Sequence, residues 1–519
     1  MAAPLDVSVD LSQAIVLTPP SMGQWLVIAP VVIPLLTGSL LLMLRHRMRL
    51  HAAIALVALA AMACTTGLLL KAVLSGGPVS VTMGRWLPPF GISFAADALG
   101  ALLAFTASVV GLVCAAYSLR DIDSAGRRYG FYPFLMVMMA GVCGAFLTGD
   151  IFNLYVWFEV FVISSFGLLV VGDETLRIDG AVKYAVLNLI ATTLFLIATA
   201  YLYGVFGTLN MADLHGRAAT IGPNAPMMTL ATLYLVAFGM KAAAFPLNFW
   251  LPASYHTPRV VTSALFGGLL TKVGVYALLR TFLTIMPQQR IVLQPLIEWV
   301  AIVTMIVGIV CALAAADLRR ILGFVLISGI GAMMAGLALG DQAALSGTIL
   351  YALHSMLVTT ALYLLSGVVR DLAGSLSLTR LGGLYDRAPA LAGIALLLFF
   401  AIAGLPPGSG LWPKIMLVKA ALDQDAGWLA AAILVSGLLT TVVFGRVFLL
   451  AFWRPQADAI PEEQGVPSRL GVAALLALLL PSLAIGLYPA PFIAAAQSAA
   501  TGLLATQPYV DAVFPQGVK

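Results

Sequence analysis

The chain has 519 residues, of which 61% are hydrophobic and 9% charged, and its mean hydropathy is +1.03. A soluble domain carries about 25% charged residues, so the composition excludes a soluble enzyme and points to an all-α polytopic protein of the lipid bilayer. The formal net charge of +5 does not indicate nucleic-acid binding, because the basic residues are scattered at the ends of apolar runs, where topology accounts for them. In chain order, residues 1–21 carry Asp6 and Asp10 but no basic n-region, unlike a cleaved signal peptide. At about 20 residues per span, the apolar runs predict fourteen transmembrane helices: 25–44, 52–74, 92–117, 131–147, 151–171, 181–205, 227–251, 260–282, 291–314, 321–339, 344–368, 391–422, 427–452 and 470–487.

The loops set the orientation. Arg45, Arg47 and Arg49 follow the first span, Arg120, Arg127 and Arg128 the third, and Arg177 the fifth. Arg319 and Arg320 follow the ninth, Arg370, Arg380 and Arg387 the eleventh, and Arg454 and Arg469 bracket the last long loop. Every one of these loops follows an odd-numbered span, so the positive-inside rule makes them cytoplasmic and puts both termini outside. That arrangement requires an even number of spans. The longest loops, 207–226 and 453–468, are too short for a soluble domain, and no glycine-rich phosphate-binding motif opens a helix. ATP-driven transport by this chain alone is therefore not expected. Cys64, Cys114, Cys143 and Cys311 lie singly in apolar runs with no CxxC or neighbouring His, as packing thiols do. Nothing in the sequence calls for a metal or a cofactor.

The seventh and twelfth spans are interrupted. Lys241 stands in a charge-free apolar run and Pro246 follows five residues later. A lysine in hydrocarbon costs about 2.5–3.5 kcal/mol on insertion scales, and a proline removes a helix hydrogen bond. A membrane helix tolerates both only where the lysine faces protein or water and the freed carbonyls find partners. The twelfth span repeats the pattern with Pro406, Pro407, Gly408, Trp412, Pro413 and Lys414, and is expected to be two half-helices. The offset of five spans gives the two copies opposite senses through the membrane. Paired interrupted helices in inverted halves are the best sequence pointer to a transporter site.

Glu159, Lys241 and Lys272 stand inside apolar spans, as does His354, a side chain able to titrate near neutral pH. Lys414 follows the twelfth-span break. The plain alternative is that such charges are ion pairs fixing helix packing, or lysines snorkelling to an interface. Mid-span positions argue against snorkelling, and buried pairs are poor glue because desolvation can exceed the Coulomb gain. The chemistry that fits is proton relay. A pair about 4 Å apart is worth about 4 kcal/mol at an effective dielectric of about 20, roughly a thousandfold in proton affinity. A modest helix movement between Glu159 and Lys241 could then load or unload a proton. Asp97 reads as a structural or interfacial carboxylate, Asp150 as a helix cap, Lys183 as a topology signal, and Arg280, Lys419 and Arg446 as snorkelling groups near span ends.

The run Lys241-Ala-Ala-Ala-Phe-Pro-Leu-Asn-Phe-Trp-Leu-Pro252, continued by Ser263-Ala-Leu-Phe-Gly-Gly-Leu-Leu-Thr-Lys272-Val-Gly, resembles the antiporter-like subunits of respiratory complex I and of Mrp (Mnh/Pha) cation/proton antiporters. Phe158-Glu159 and Gly404-Leu-Pro-Pro-x-x-Gly-Leu-Trp-x-Lys414 extend the resemblance over nearly the whole chain, and Ala253-Ser-Tyr-His-Thr-Pro258 is most similar to the Mrp branch. The resemblance implies three spans within 1–130, inverted five-helix repeats at 131–282 and 283–452, and a last loop, span and tail at 453–519. It implies Glu159 as the fifth-helix acid, Lys241, Lys272 and Lys414 as the lysines of helices seven, eight and twelve, and His354 as the eleventh-helix histidine. Many relatives carry a lysine soon after that histidine, where this chain has Val358, Thr359 and Thr360. The implied function is that of a secondary transporter subunit exchanging Na⁺ or K⁺ for protons beside other membrane subunits, in a bacterial cell membrane. The alternatives are a proton-pumping subunit of an NADH:quinone or hydrogenase-type redox complex, and a scaffold whose charges only assemble its neighbours.

Overall fold

The computed structural model describes residues 15–16, 19–172, 175–221, 226–455 and 467–514. Asp6, Asp10 and parts of the two longest loops lie outside the described residues. The chain is a bundle of long apolar helices. Among the described residues, eleven helices are long and apolar enough to cross a membrane, and four shorter apolar helices of 10–17 residues accompany them.

Helices α1 (Met22–Met43) and α2 (Met48–Gly76) form an outlying pair. Ser21 starts α1 with a capping box, its hydroxyl accepting from the Gln24 amide while the Gln24 side chain accepts from the Ser21 amide at 2.8 Å. A two-stranded antiparallel hairpin follows, β1 (Val79–Thr82) against β2 (Ser93–Ala96), with Val79 opposite Ala96. This corrects the third span. Residues 93–96 form the strand, and α3 (Ala98–Asp121) starts only after Asp97, whose carboxylate accepts from the Gly100 amide at 2.9 Å.

Helices α4 (Phe131–Leu147), α5 (Ile151–Val170) and α6 (Thr175–Phe206) follow, and Asp150 caps α5 as the sequence predicts, accepting from the Asn153 amide at 2.8 Å. The seventh span is broken: α7 (Met227–Ala242) stops, the chain turns through residues 243–249, and a short helical turn runs from Trp250 to Ser254. Next come α8 (Val260–Ile285), α9 (Pro287–Ala314), α10 (Leu318–Leu339) and α11 (Gln342–Ala373). Two π-turns interrupt α8, at Phe266–Leu270 and Thr281–Ile285. The twelfth span is broken too, into α12 (Pro389–Ala403) and α13 (Leu411–Asp423). Then α14 (Gly427–Trp453) and α15 (Arg469–Leu487) complete the sequence-predicted spans, and α16 (Ala490–Leu504) and α17 (Gln507–Val513) continue beyond them.

Burial orders the bundle. Helices α8 and α11 are enclosed along their whole apolar windows and α10 nearly so, whereas α1, α2, α6, α9 and α14 expose most of theirs. An apolar helix enclosed all round is a core element, and each polar group it carries must find a partner inside the protein or hold water. Close approach of α7 and α8 depends on Gly274, where a Cβ would lie 2.6 Å from the Ala242 amide nitrogen.

The described parts of both termini share one end with the hairpin, since Ser80 of β1 donates to the Ala512 carbonyl of α17. The opposite end is rich in arginine. There Arg120 pairs with Asp371, Arg370 with Asp121 at 3.5 Å and Arg259 with Asp123 at 2.9 Å, tying the ends of α3 and α11 to the start of α8.

Candidate functional site

Lys241 is 5% exposed, in the last turn of α7. Ala243 ends the helix in the left-handed region at φ 64°, and the Met240 carbonyl accepts from both the Ala243 amide and the Trp250 indole, each at 3.1 Å. Pro246 itself sits exposed on the outside of the bundle. Lys241 does not donate to a carbonyl of the break. The ammonium instead donates to α6, at 3.3 Å to Asn188 Oδ1 and 3.4 Å to the Asn188 carbonyl. Asn188 lies 53 residues away in sequence and carries no charge to mark it.

Glu159 is half-buried in α5. Among the described residues it has no ion pair within 4 Å, and its buried Oε1 has no hydrogen-bond partner. It still acts on Lys241 electrostatically. Lys241 Nζ also stands 5.7 Å from the ring centroid of Phe158, the residue before the glutamate. The two groups form a separated acid–base couple rather than a closed salt bridge.

Lys272 is 1% exposed in α8 and donates back across the first π-turn to the Gly267 carbonyl at 2.7 Å. π-bulges frequently mark functional positions in helices, since the wider turn leaves carbonyls less tightly committed. No carboxylate pairs with Lys272 among the described residues.

His354 is fully buried in the middle of α11. Its Nδ1 is 2.6 Å from Ser409 Oγ, which is 2.7 Å from Ser482 Oγ on α15. Among the described residues its Nε2 has no hydrogen-bond partner. The Pro406-Pro407-Gly408 break brings Ser409 there: a Cβ at Gly408 would overlap Ala401 Cα, so only glycine lets the loop fold back against α12. Lys272 and Lys414 both act electrostatically on the imidazole.

Lys414, in the first turn of α13, is half-buried. It donates to the Ala403 carbonyl at 2.6 Å and the Ile402 carbonyl at 3.3 Å. These are C-terminal carbonyls of α12, left without helical partners by the break, and a helix C-terminus favours a cation. Both broken spans thus hold a lysine at a half-helix C-terminus, Lys241 on its own helix and Lys414 against the preceding one. Beside Lys414 an apolar cleft of about 600 Å³ opens between α13 and α14.

Sequence reasoning missed Asn188, Ser409 and Ser482, and misread Arg280. Arg280 does not snorkel. It is 1% exposed and paired with Asp97 at 2.7 Å. Its available signal was the spacing Lys272, Tyr276, Arg280 on one face of α8.

The arrangement can hold and pass protons, with titratable side chains on α5, α7, α8, α11 and α13, enclosed at Lys241, Lys272 and His354 and half-buried at Glu159 and Lys414. Residues 148–440 match the family model "NADH:quinone oxidoreductase/Mrp antiporter, TM". The D subunit of the Na(+)/H(+) antiporter of Alkalihalophilus pseudofirmus is 38% identical over 460 residues, 89% of this chain and 92% of that one. The corresponding antiporter subunit of Bacillus subtilis is 35% identical, over 94% of this chain and 99% of that one. A chain in the Mrp complex of Dietzia sp. DQ12-45-1b superposes with a TM-score of 0.88 at 29% identity, over 95% of this chain and 100% of that chain. A chain of respiratory complex I from Thermus thermophilus shares the fold, with a TM-score of 0.80 at 24% identity over 92% and 99% of the two chains. The chain belongs to the NADH:quinone oxidoreductase/Mrp antiporter family of transmembrane subunits.

Proposed function

We propose that this chain is a membrane subunit of a multi-subunit monovalent cation/proton antiporter, and that Glu159, Lys241, Lys272, His354 and Lys414 pass protons along the middle of the bilayer. It is a transporter component rather than an enzyme. The observation that carries the reading is the setting of its charges: buried or half-buried titratable groups, none closed into a tight carboxylate pair among the described residues, with the three lysines and the histidine each facing a neutral partner they can leave. Lys241 faces Asn188, Lys272 a backbone carbonyl, His354 a serine and Lys414 a helix C-terminus. A structural salt bridge would instead be closed and fully bonded.

The Glu159–Lys241 couple acts as the switch. In the separated arrangement the glutamate has an unbonded oxygen ready to receive a partner, and closing the gap raises the proton affinity of the lysine while reopening lowers it. Lys272 and His354 relay, and Lys414 exchanges protons with a neighbouring subunit or with one face of the membrane. The stretches 131–282 and 283–452 are the two inverted halves around this row. The setting is a bacterial cell membrane, with the arginine-rich end in the cytoplasm and the hairpin end, with both termini, outside.

The test is cation-driven proton flux in vesicles containing the assembled complex. Glu159→Gln and Lys241→Ala complexes are expected to lose flux at least about 100-fold, the lower range for a lost proton-transfer group. Full flux from normally assembled complexes of both variants would sink the relay.

A further inference from the structure

A second group of enclosed polar side chains lies between the midplane and the hairpin end, and the relay does not use it. Lys272, Tyr276 and Arg280 follow one another at four-residue spacing on α8, so they form a column on one face. Arg280 reaches across to Asp97 on α3, whose other oxygen is committed to the Gly100 amide. The guanidinium carbon stands 5.4 Å from the ring centroid of Tyr276 and 5.1 Å from that of Tyr509, which α17 delivers to this spot.

The cluster is enclosed but not satisfied. Among the described residues Arg280 Nε and Nη1 and the Tyr509 hydroxyl have no hydrogen-bond partner, and the Tyr276 hydroxyl has none apart from the Arg280 guanidinium beside it. Among the described residues the hydroxyls of Thr281 and Thr284, on the same helix, are unbonded as well. An ion pair that only tied α3 to α8 would be expected to bond its remaining donors to the protein, since a buried donor left bare is costly. Groups of this kind hold internal water, typically with about three hydrogen bonds per molecule. The far side of the cluster reaches the hairpin end: a Cβ at Gly149 would lie 3.2 Å from Tyr509 Oη, and Asp150 is the next residue.

We propose that Lys272, Tyr276, the Arg280–Asp97 pair, Tyr509 and Asp150 form a hydrated branch that carries protons between the midplane relay and the hairpin-end surface. The proposal rests on the reading of Lys272 as a relay residue. Each step moves one proton: Lys272 gives a proton to a water at Tyr276, each water or phenol on the way accepts one and releases one, and Asp150 exchanges the last with bulk water. Arg280 stays protonated throughout. Asp97 offsets its charge, so a passing proton meets no net repulsion, and the pair orients the waters on either side.

The experiment uses the whole complex in vesicles and compares cation-driven proton flux in wild type, Tyr276→Phe, Tyr509→Phe and Glu159→Gln. Phenylalanine keeps the ring and removes only the hydroxyl. Each Phe variant is expected to assemble normally and to lose flux about tenfold, equivalent to about 1.4 kcal/mol of barrier. Full flux in both Phe variants beside an inactive Glu159→Gln complex overturns the branch and leaves the relay standing. Full flux in Glu159→Gln removes the relay and the branch with it. A flux loss that only tracks lost complex marks a structural cluster and overturns the branch. A second measurement does not depend on any variant: a high-resolution cryo-EM map of the wild-type complex is expected to show ordered water at Tyr276 Oη and Tyr509 Oη, and a dry cluster overturns the proposal.

Discussion

Asp150 states the problem of this protein at the scale of one residue. Its carboxylate caps α5, which favours the charged form, but the site is 8% exposed, and desolvation pushes its pKa up from 3.8 to about 6. Between about pH 4 and 6 the folded protein holds the Asp150 proton more tightly than the unfolded chain does, so this residue's contribution to stability falls as pH rises through that window. The full effect is on the order of 2–3 kcal/mol. Asparagine caps a helix as well as aspartate and cannot ionise. The apparent Tm of the detergent-solubilised protein should therefore match between wild type and Asp150→Asn at pH 4, and the variant should become the more stable as pH passes 6. Parallel Tm curves across that range would remove Asp150 as the source.

The same scale shows what sequence could reveal about the site. Glu159, Lys241, Lys272 and His354 announce themselves because each interrupts an apolar run, and insertion cost alone singles them out. Their partners do not. Asn188, Ser409 and Ser482 are uncharged and distant in sequence from the groups they serve, and such residues are common in helices. Arg280 was open to misreading because an arginine one turn from the end of an apolar run looks the same whether it reaches water or a carboxylate. Only the enclosure of α8 on all sides excludes the water.

At the scale of elements, the two breaks were legible because proline removes a helix hydrogen bond close to a lysine in an apolar run, whereas Pro30, Pro34, Pro295 and Pro481 are carried inside continuous helices. What each break does was not legible. The seventh-span break gives its carbonyl to Trp250, whereas the twelfth gives its carbonyls to Lys414. The hairpin was missed because residues 92–96 run into α3 without a change in hydropathy, and the boundary is carried only by Asp97 as a cap. The α12 end makes the second break testable. Gly404 adopts φ +85°, and a Cβ there would lie 2.6 Å from Lys414 Cδ. Gly404→Ala should cost about 1–2 kcal/mol for the left-handed backbone alone, displace the ammonium from Ala403, and lower both apparent Tm and flux. Gly393→Ala, in the same helix with open space around the new methyl, should leave Tm unchanged or raise it slightly. Equal behaviour of the two variants would mean that the glycine at the break is not what holds Lys414 in place.

For the whole molecule, the midplane row and the cluster at the hairpin end make sense as transport only if the two ends of the bundle face different compartments. The ends differ in charge. Arginines of α3, α8 and α11 meet three aspartates at one end, and the hairpin and α17 cover the other. The positive-inside rule then orients the bundle, and the loops flanking α2 give the cleanest test. His46 precedes α2 and Ser75 lies in its last turn; both are exposed, at opposite ends of a 29-residue helix. A membrane-impermeant thiol reagent added to intact cells should label Ser75→Cys, and should label His46→Cys only after permeabilisation, with the wild-type chain giving the background from Cys64, which is exposed on the same helix. The opposite pattern would turn the molecule over. Asp150 and Tyr509 would then face the cytoplasm, and the proton branch would serve entry from the cell interior rather than exchange with the outer medium.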